Sequence, residues 1–258
     1  MITSTSNIQV KELIRLQKKS RERENAGVFI VEGPRMVSEI PAERIVKLYI
    51  SESYKKKIDE GKAERPAKVT ETMSDTVFAH ISDTKTPQGV LAIVRRMEYN
   101  MENILGDMPH ILLLENIQDP GNLGTIFRTA EAAGATGIVL SSDCVDLYNP
   151  KVIRSTMGAV LRLPFVYVDD LIGAVEELKQ SGIRVYAAHL DGVKDYDEAD
   201  YHSGCAFLIG NEGNGLREET AQSADKKILI PMKGKAESLN AAVAASILMF
   251  EVSRQRRN

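Results

Sequence analysis

The sequence predicts an α/β protein in two parts, on three observations. Strand-like apolar segments alternate with segments of helical periodicity along the whole chain, the pattern of α/β architecture. In the second half the strands are near-continuous apolar runs such as Ile111-Leu112-Leu113-Leu114, which suits a parallel sheet covered on both faces. From Arg95 to Pro109 the periodicity lapses into a stretch with Asn100, Asn103, Gly106, Asp107 and Pro109, a linker composition. The 258 residues suffice for two domains at roughly 100–200 residues each. The expected division is a smaller α/β domain over 1–96, a linker over 97–109 in which Met101, Ile104 and Leu105 pack locally, and a larger domain over 110–258.

Taken in order, Ser6 to Glu24 predicts an amphipathic helix with Ile8, Leu13 and Leu16 on one side. Val28–Val31 is a strand ending in the turn Glu32-Gly33-Pro34. Ile45–Ile50, Ala67–Thr70 and Gly89–Val94 are further strands. In the second part, strands are expected at Ile111–Glu115, Gly137–Leu140, Arg184–Ala188, Cys205–Ile209 and Ile228–Ile230. Helices are expected at Leu123–Ala133, Leu171–Ser181, Leu216–Ser223 and Leu239–Arg256.

Composition excludes several classes. No apolar stretch reaches the roughly 20 residues of a bilayer span, and the N-terminus lacks a secretory pattern. Cys144 and Cys205 form neither a disulfide framework nor a metal spacing, so a reducing, cytoplasmic location is expected. The net charge of −3 hides an asymmetry. Residues 1–100 carry 18 Lys and Arg against 14 Asp and Glu, while 101–258 carry 15 against 22. The basic excess gathers at Lys11, Arg15, Lys18, Lys19, Arg21 and Arg23. Such a run is either a solvated helix face or an electrostatic footprint for nucleic acid.

Three segments carry chemistry. The first runs from Glu115 to Ala130, where a buried strand passes through Asp119-Pro120-Gly121 into a helix. Asn122 is either the N-cap of that helix or a functional amide. Arg128, within the apolar run Leu123, Ile126, Phe127 and Ala130, is expected to be buried, where an unpaired cation is costly; a salt bridge to Glu131 or Glu212 is the structural alternative. The second segment, Leu208-Ile209-Gly210-Asn211-Glu212-Gly213-Asn214-Gly215-Leu216, holds three glycines within six residues after a strand, so its backbone approaches something closely. Its spacing is not the dinucleotide fingerprint. The third, Ile230-Pro231-Met232-Lys233-Gly234-Lys235-Ala236-Glu237-Ser238-Leu239-Asn240, is not a phosphate loop, because Ala236 replaces the required Ser or Thr. Ser238 is the expected N-cap of the last helix, and Asn240 is not needed for capping.

By residue type, order and spacing these segments resemble the SpoU (TrmH-like) family of RNA ribose methyltransferases, of the SPOUT superfamily. Asn122 and Arg128 stand at the first motif's invariant positions, Gly210–Leu216 is similar to the second motif, and Ser238-Leu239-Asn240 to the third. Phe29-Ile30-Val31-Glu32-Gly33 is similar to the family's substrate-binding domain. The resemblance implies a parallel sheet tied into a deep trefoil knot, an exception to unknotted topology, and a homodimer joined along the final helix. It implies S-adenosylmethionine as cofactor, held by Leu208, Ile209, Gly210, Asn211, Gly213, Ile230, Met232, Ser238 and Leu239. The implied catalytic set is Arg128, Asn122, Glu212, Ser238 and Asn240. The implied reaction is methyl transfer to a ribose 2′-hydroxyl, with 23S ribosomal RNA as the expected substrate. Alternatives are tRNA, or a non-catalytic RNA-binding factor on the same fold. His80, His110, His189 and His202 all fall outside the motifs, so no imidazole base is expected.

Overall fold

The computed structural model describes residues 1–66, 69 and 71–257. The chain forms two compact units, one of Met1–Met97 with Asp146–Leu161, the other of Glu98–Val145 with Arg162–Asn258.

In the first unit, Asn7 caps α1 (Ile8–Lys18) by accepting from the Gln9 amide, and the helix buries Val10, Leu13 and Leu16. The sequence expects one helix over 6–24, but the chain breaks at Lys19, extended at φ −121° and ψ 114°, and restarts as α2 (Ser20–Ala26). Arg23 explains the break. It is 2% exposed and donates to the carbonyls of Leu16 and Gln17, which the end of α1 leaves without helical partners. It also pairs with Asp146 at 2.5 Å. Arg23 therefore leaves the expected basic surface, whereas Lys11, Arg15, Lys18, Lys19 and Arg21 are exposed.

The remaining elements are β1 (Val28–Glu32), α3 (Pro34–Ser38), β2 (Ile45–Ser51), α4 (Glu52–Asp59), β3 (Glu71–Met73), α5 (Asp75–Ile81) and β4 (Val90–Arg95). They build a four-stranded sheet in the order β1-β4-β2-β3. β4 is antiparallel to both neighbours and β2 parallel to β3. Of the expected strand 67–70, residues 67, 68 and 70 lie outside the described residues.

Residues 146–161 join this unit although the sequence places them in the larger domain. The Tyr148 ring lies 4.8 Å from that of Phe29, and its hydroxyl accepts from the Met97 amide. Helix Pro150–Thr156, α8 in chain order, packs on β1. Arg23, Phe29 and Met97 are distant in sequence from their partners, so local periodicity carries no trace of the excursion.

The second unit begins with α6 (Met101–Leu105), inside the expected linker, where Asn100 and Asn103 form a reciprocal capping box and Ile104 is buried. There follow β5 (His110–Leu114), α7 (Pro120–Ala133), β6 (Gly137–Ser141), β7 (Phe165–Val168), α9 (Leu171–Gln180), β8 (Arg184–Ala188), β9 (Lys194–Asp195), β10 (Cys205–Ile209), α10 (Glu218–Ser223), β11 (Lys226–Leu229) and α11 (Ala241–Gln255). The sheet has seven strands in the order β7-β6-β5-β10-β8-β11-β9, and every pairing is parallel. The edge strands β7 and β9 escape sequence reading because one is four residues long and only half-buried, the other two residues long. Helix α7 packs on α11, and α9 on α10. The α9–α10 pair covers the face carrying Ile111, Leu113, Val185 and Leu208.

From β5 the chain lays β6 and β7 on one side, and later strands fill the other side from β10 outward. The carboxyl ends of β5 and β10, in register at Leu114 and Ile209, are therefore a topological switch point, where open α/β sheets bind ligands. Among the described residues no helix is long and apolar enough to cross a membrane.

Candidate active site

The first chemical segment leaves the sheet at β5 and the second at β10, so strand pairing alone brings them together. Glu115, 1% exposed, accepts from the Arg217 amide at 2.7 Å and the Thr220 hydroxyl at 2.5 Å. The Arg217 guanidinium also pairs with Asp143. Asn116 follows at φ 52°, a left-handed conformation that asparagine tolerates better than most residues. Its amide donates to Ser141 at 2.9 Å, and its carbonyl accepts from the Asn211 side chain at 2.7 Å.

The glycine loop approaches its own backbone. Asn211 and Gly215 exchange main-chain hydrogen bonds of 3.0 and 2.9 Å, and the Asn211 side-chain oxygen accepts from the amides of Gly213 and Asn214. A Cβ on Gly210 would fall 2.1 Å from the Gly215 carbonyl carbon, while Gly215 itself sits at φ 69°. Two of the glycines are thus required by closure of the turn, which presents Glu212 outward.

Glu212 gathers the three segments. It accepts from the Gln118 amide at 3.2 Å, the Asp119 amide at 3.0 Å and the Asn122 side chain at 3.0 Å. Asn240 donates to the Asn122 side-chain oxygen at 2.9 Å. Glu212, Asn122 and Asn240, from three segments spanning more than a hundred residues of sequence, therefore form one continuous polar chain. Partial burial pushes the Glu212 carboxyl up, but the bonds from Asn122, Asp119 and Gln118 outweigh it and hold the group below the usual glutamate value. At neutral pH Glu212 is a fixed anionic acceptor, poorly suited to take a proton.

Two expectations, the Ser238 cap and the burial of Arg128, need correction, and two open alternatives, the Asn122 cap and the Arg128 salt bridge, are not adopted. Asp119, not Asn122, caps α7, which leaves the Asn122 amide free for Glu212 and Asn240. Asn240, not Ser238, caps α11, accepting from Ala242 and Val243. Ser238 is exposed and makes no side-chain hydrogen bond among the described residues. Arg128 is exposed rather than buried and has no ion-pair or hydrogen-bond partner among them. Glu131 instead pairs with Arg162, and Glu212 binds Asn122. The physical reason is angular. Six residues along a helix rotate a side chain by about 120° net and advance it about 9 Å, so Arg128 clears both the apolar stripe of α7 and the Asn122 cluster.

The expected cofactor residues divide similarly. Leu208 and Ile209 are buried in β10, and Gly210 and Asn211 are half-buried at its carboxyl end, as are Ile230, Met232 and Leu239 in the segment leading to α11. Gly213 is exposed. Main-chain groups of residues 231–239 enter no backbone–backbone hydrogen bond among the described residues. Open main-chain donors and acceptors beside half-buried aliphatic side chains form a donor set that fits a neutral adenine with an apolar edge. No group of His, Cys, Asp or Glu among the described residues is arranged to hold a metal.

A family model, the SpoU rRNA Methylase family, matches residues 109–250. The chain belongs to this family. A second model, the MRM3-like substrate binding domain, matches residues 7–92. The chain is 33% identical to the 23S rRNA (guanosine(2553)-2'-O)-methyltransferase RlmP of Bacillus subtilis, over 97% of this chain and 98% of that protein. It is 30% identical to human mitochondrial rRNA methyltransferase 3, over 93% and 70%. Among solved structures, AdoMet-bound rRNA methyltransferase from Sinorhizobium meliloti superposes with a TM-score of 0.84 at 30% identity, covering 98% of this chain and 97% of that one. The SpoU methyltransferase AviRb from Streptomyces viridochromogenes, in complex with AdoMet, gives 0.83 at 26%, covering 98% and 99%.

The SpoU motifs picked out Asn122, Glu212 and Asn240 but passed over their supports, Glu115, Asn116, Asp119, Asp143 and Arg217. Only Asp119 was signalled locally, since Asp-Pro before an apolar run marks a cap followed by a first-turn proline. Of the histidines, His110 lies at the amino end of β5, where burial and then Arg256 push its imidazole down to about 4.

Proposed function

We propose that this chain transfers a methyl group from S-adenosylmethionine to a ribose 2′-hydroxyl of 23S ribosomal RNA, as a cytoplasmic homodimer with a trefoil-knotted catalytic domain. The observation that carries the reading is the Glu212–Asn122–Asn240 chain at the carboxyl ends of adjacent strands β5 and β10, in a chain of the SpoU family. The 23S assignment rests on the name and near-complete overlap of the Bacillus subtilis relative.

The cofactor is held by main-chain groups around Gly210, Ile230–Met232 and Ser238–Leu239, with Leu208 and Ile209 ending the strand that positions them. S-adenosylmethionine supplies at this place a methyl group made electrophilic by its sulfonium. Glu212 fixes Asn122, and Asn122 fixes Asn240, so that their amides keep one orientation toward ribose. Arg128 stands exposed on α7. It binds an RNA phosphate and stabilises negative charge growing on the 2′ oxygen, and the hydroxyl proton leaves to water as the oxygen takes the methyl group. Most of the acceleration then comes from alignment of oxygen and methyl.

Two observations support the dimer. Val243 and Phe250, 47% and 49% exposed, flank half-buried Ile247 at helical spacing on α11, an apolar stripe suited to self-association. Arg128 extends from the same helix layer without an ion-pair or hydrogen-bond partner among the described residues. For the knot, the support is family membership together with late strand β10 seated between β5 and β8. The test is incubation of purified protein with labelled donor and undermethylated 23S RNA, followed by mapping of 2′-O-methyl positions. A single new site is expected. Label in tRNA alone, or in no RNA, overturns the assignment.

A further inference from the structure

Within the first unit, the segments around α3, α4 and the turn at 86–88 enclose a cavity of about 860 Å³, within the ~300–1,000 Å³ of clefts that hold small ligands. Two chemistries meet in it. Val37, Ile40, Ile45, Leu48 and Tyr54 form an apolar floor and are all buried. Arg35, Lys57, Lys62 and Arg65 stand exposed around it. Lys62 pairs with Glu60 at 2.7 Å, but Arg35, Lys57 and Arg65 have no ion-pair partner among the described residues. Among the described residues the only acid in the lining is Glu64, and its carbonyl accepts from the Tyr54 hydroxyl at 3.1 Å, which ties the Arg65 segment to α4.

We propose that this cavity takes one unpaired RNA nucleotide, its base against the apolar floor and its flanking phosphates on Arg35, Lys57 and Arg65. The inference rests on the RNA-methyltransferase reading and deepens it, naming where and how this unit recognises its substrate. Cations without carboxylate partners are the complement of a phosphate backbone. An apolar recess between them has no use for a paired base, whose faces are already stacked, but accommodates one splayed from a loop or bulge. The cavity therefore selects RNA by the presence of an unpaired nucleotide, while the exposed lysines and arginines of α1 and α2 contact backbone without selecting.

The test compares two variants of the full chain, neither touching the Glu212 cluster. Lys57→Glu with Arg65→Glu reverses the rim. Ser38→Leu with Ala42→Leu fills the recess from exposed lining positions and leaves every cation in place. Fluorescence anisotropy is measured against a labelled hairpin RNA carrying an unpaired bulge and against a fully paired hairpin. The parent is expected to prefer the bulged RNA by about tenfold, the scale of one base packed against a protein surface. The filled variant should lose that preference and keep its affinity for paired RNA. The reversed variant should lose affinity for bulged RNA, with its log–log salt slope smaller by about 1.4, two phosphate contacts at about 0.7 each. Persistence of the preference in the filled variant overturns the proposal. So does displacement of bulged RNA by polyglutamate at equal charge concentration, which would make the cavity a general anion surface. Calorimetry with S-adenosylmethionine on the same preparations separates the two readings. A parent that binds no donor removes the enzyme assignment. Variants that bind donor normally while their RNA preference is unchanged remove only the cavity.

Discussion

Replacing Glu212 by alanine removes the one group that touches the first and second motifs and, through Asn122, the third. Four hydrogen bonds of 3.0–3.4 Å are lost, two from main-chain amides and one each from the Asn122 and Asn211 side chains. A bond to a charged acceptor contributes about 1.5–3 kcal/mol when dry, but this carboxylate is exposed and water replaces it at the Gln118 and Asp119 amides. The expected loss of stability is therefore about 1.5 kcal/mol in total, a fall in Tm of roughly 3–6 °C for a chain of this size. Activity should suffer more, because Asn122 and Asn240 lose their fixed orientation; a fall in kcat of about 100-fold corresponds to roughly 2.7 kcal/mol of transition-state stabilisation. Glu212→Gln keeps an acceptor oxygen for Asn122 and should recover about half of this in logarithmic terms. The assays are thermal unfolding and initial rates of methyl transfer to RNA under saturating donor. An alanine variant with parental Tm and parental rate would refute the claim that this carboxylate organises the site.

Arg128→Ala should lower transfer by about 100-fold or more, with Tm and donor affinity unchanged because the side chain is exposed and has no partner among the described residues; near-parental turnover would remove its role. Gly210→Ala places a methyl 2.1 Å from the Gly215 backbone, so the turn must open. A destabilisation of about 1–3 kcal/mol and a weakened calorimetric affinity for S-adenosylmethionine are expected, whereas a parental isotherm would contradict the cofactor assignment. The Glu212 carboxyl is held below its ordinary value of 4.5. Its contribution to stability is therefore complete above that value and lost as pH falls through its lower folded-state value, so the stability difference between parent and Glu212→Gln should shrink below pH 4.5, as read from urea midpoints. Deleting residues 1–95 should expose the buried Tyr148, Val152 and Ile153 of the returning segment and cause aggregation visible by light scattering; a monodisperse truncated protein would show that 146–161 stands without the first unit.

Local chemistry in the sequence determined the alternation of helices and strands, the parallel character of the second sheet and the three segments that meet at the switch point. Those features depend on side-chain period and on residue types at turns, which a linear reading contains. Tertiary structure decided how the same residues are employed. Arg23 reads as one of a basic cluster, yet packing folds it back onto the end of α1 and onto Asp146. Arg128 reads as buried within an apolar run, yet its azimuth on α7 turns it to solvent. The capping duties weighed for Asn122 and expected of Ser238 fall instead to Asp119 and Asn240, because the cap is set by where the backbone leaves helical geometry, and only Asp119-Pro120 declares that locally. The support of the site by Glu115, Asn116, Asp143 and Arg217, and the return of 146–161 to the first unit, join residues far apart along the chain. Such pairings depend on which strands lie side by side, and that order is a property of the packed sheet rather than of any segment read alone.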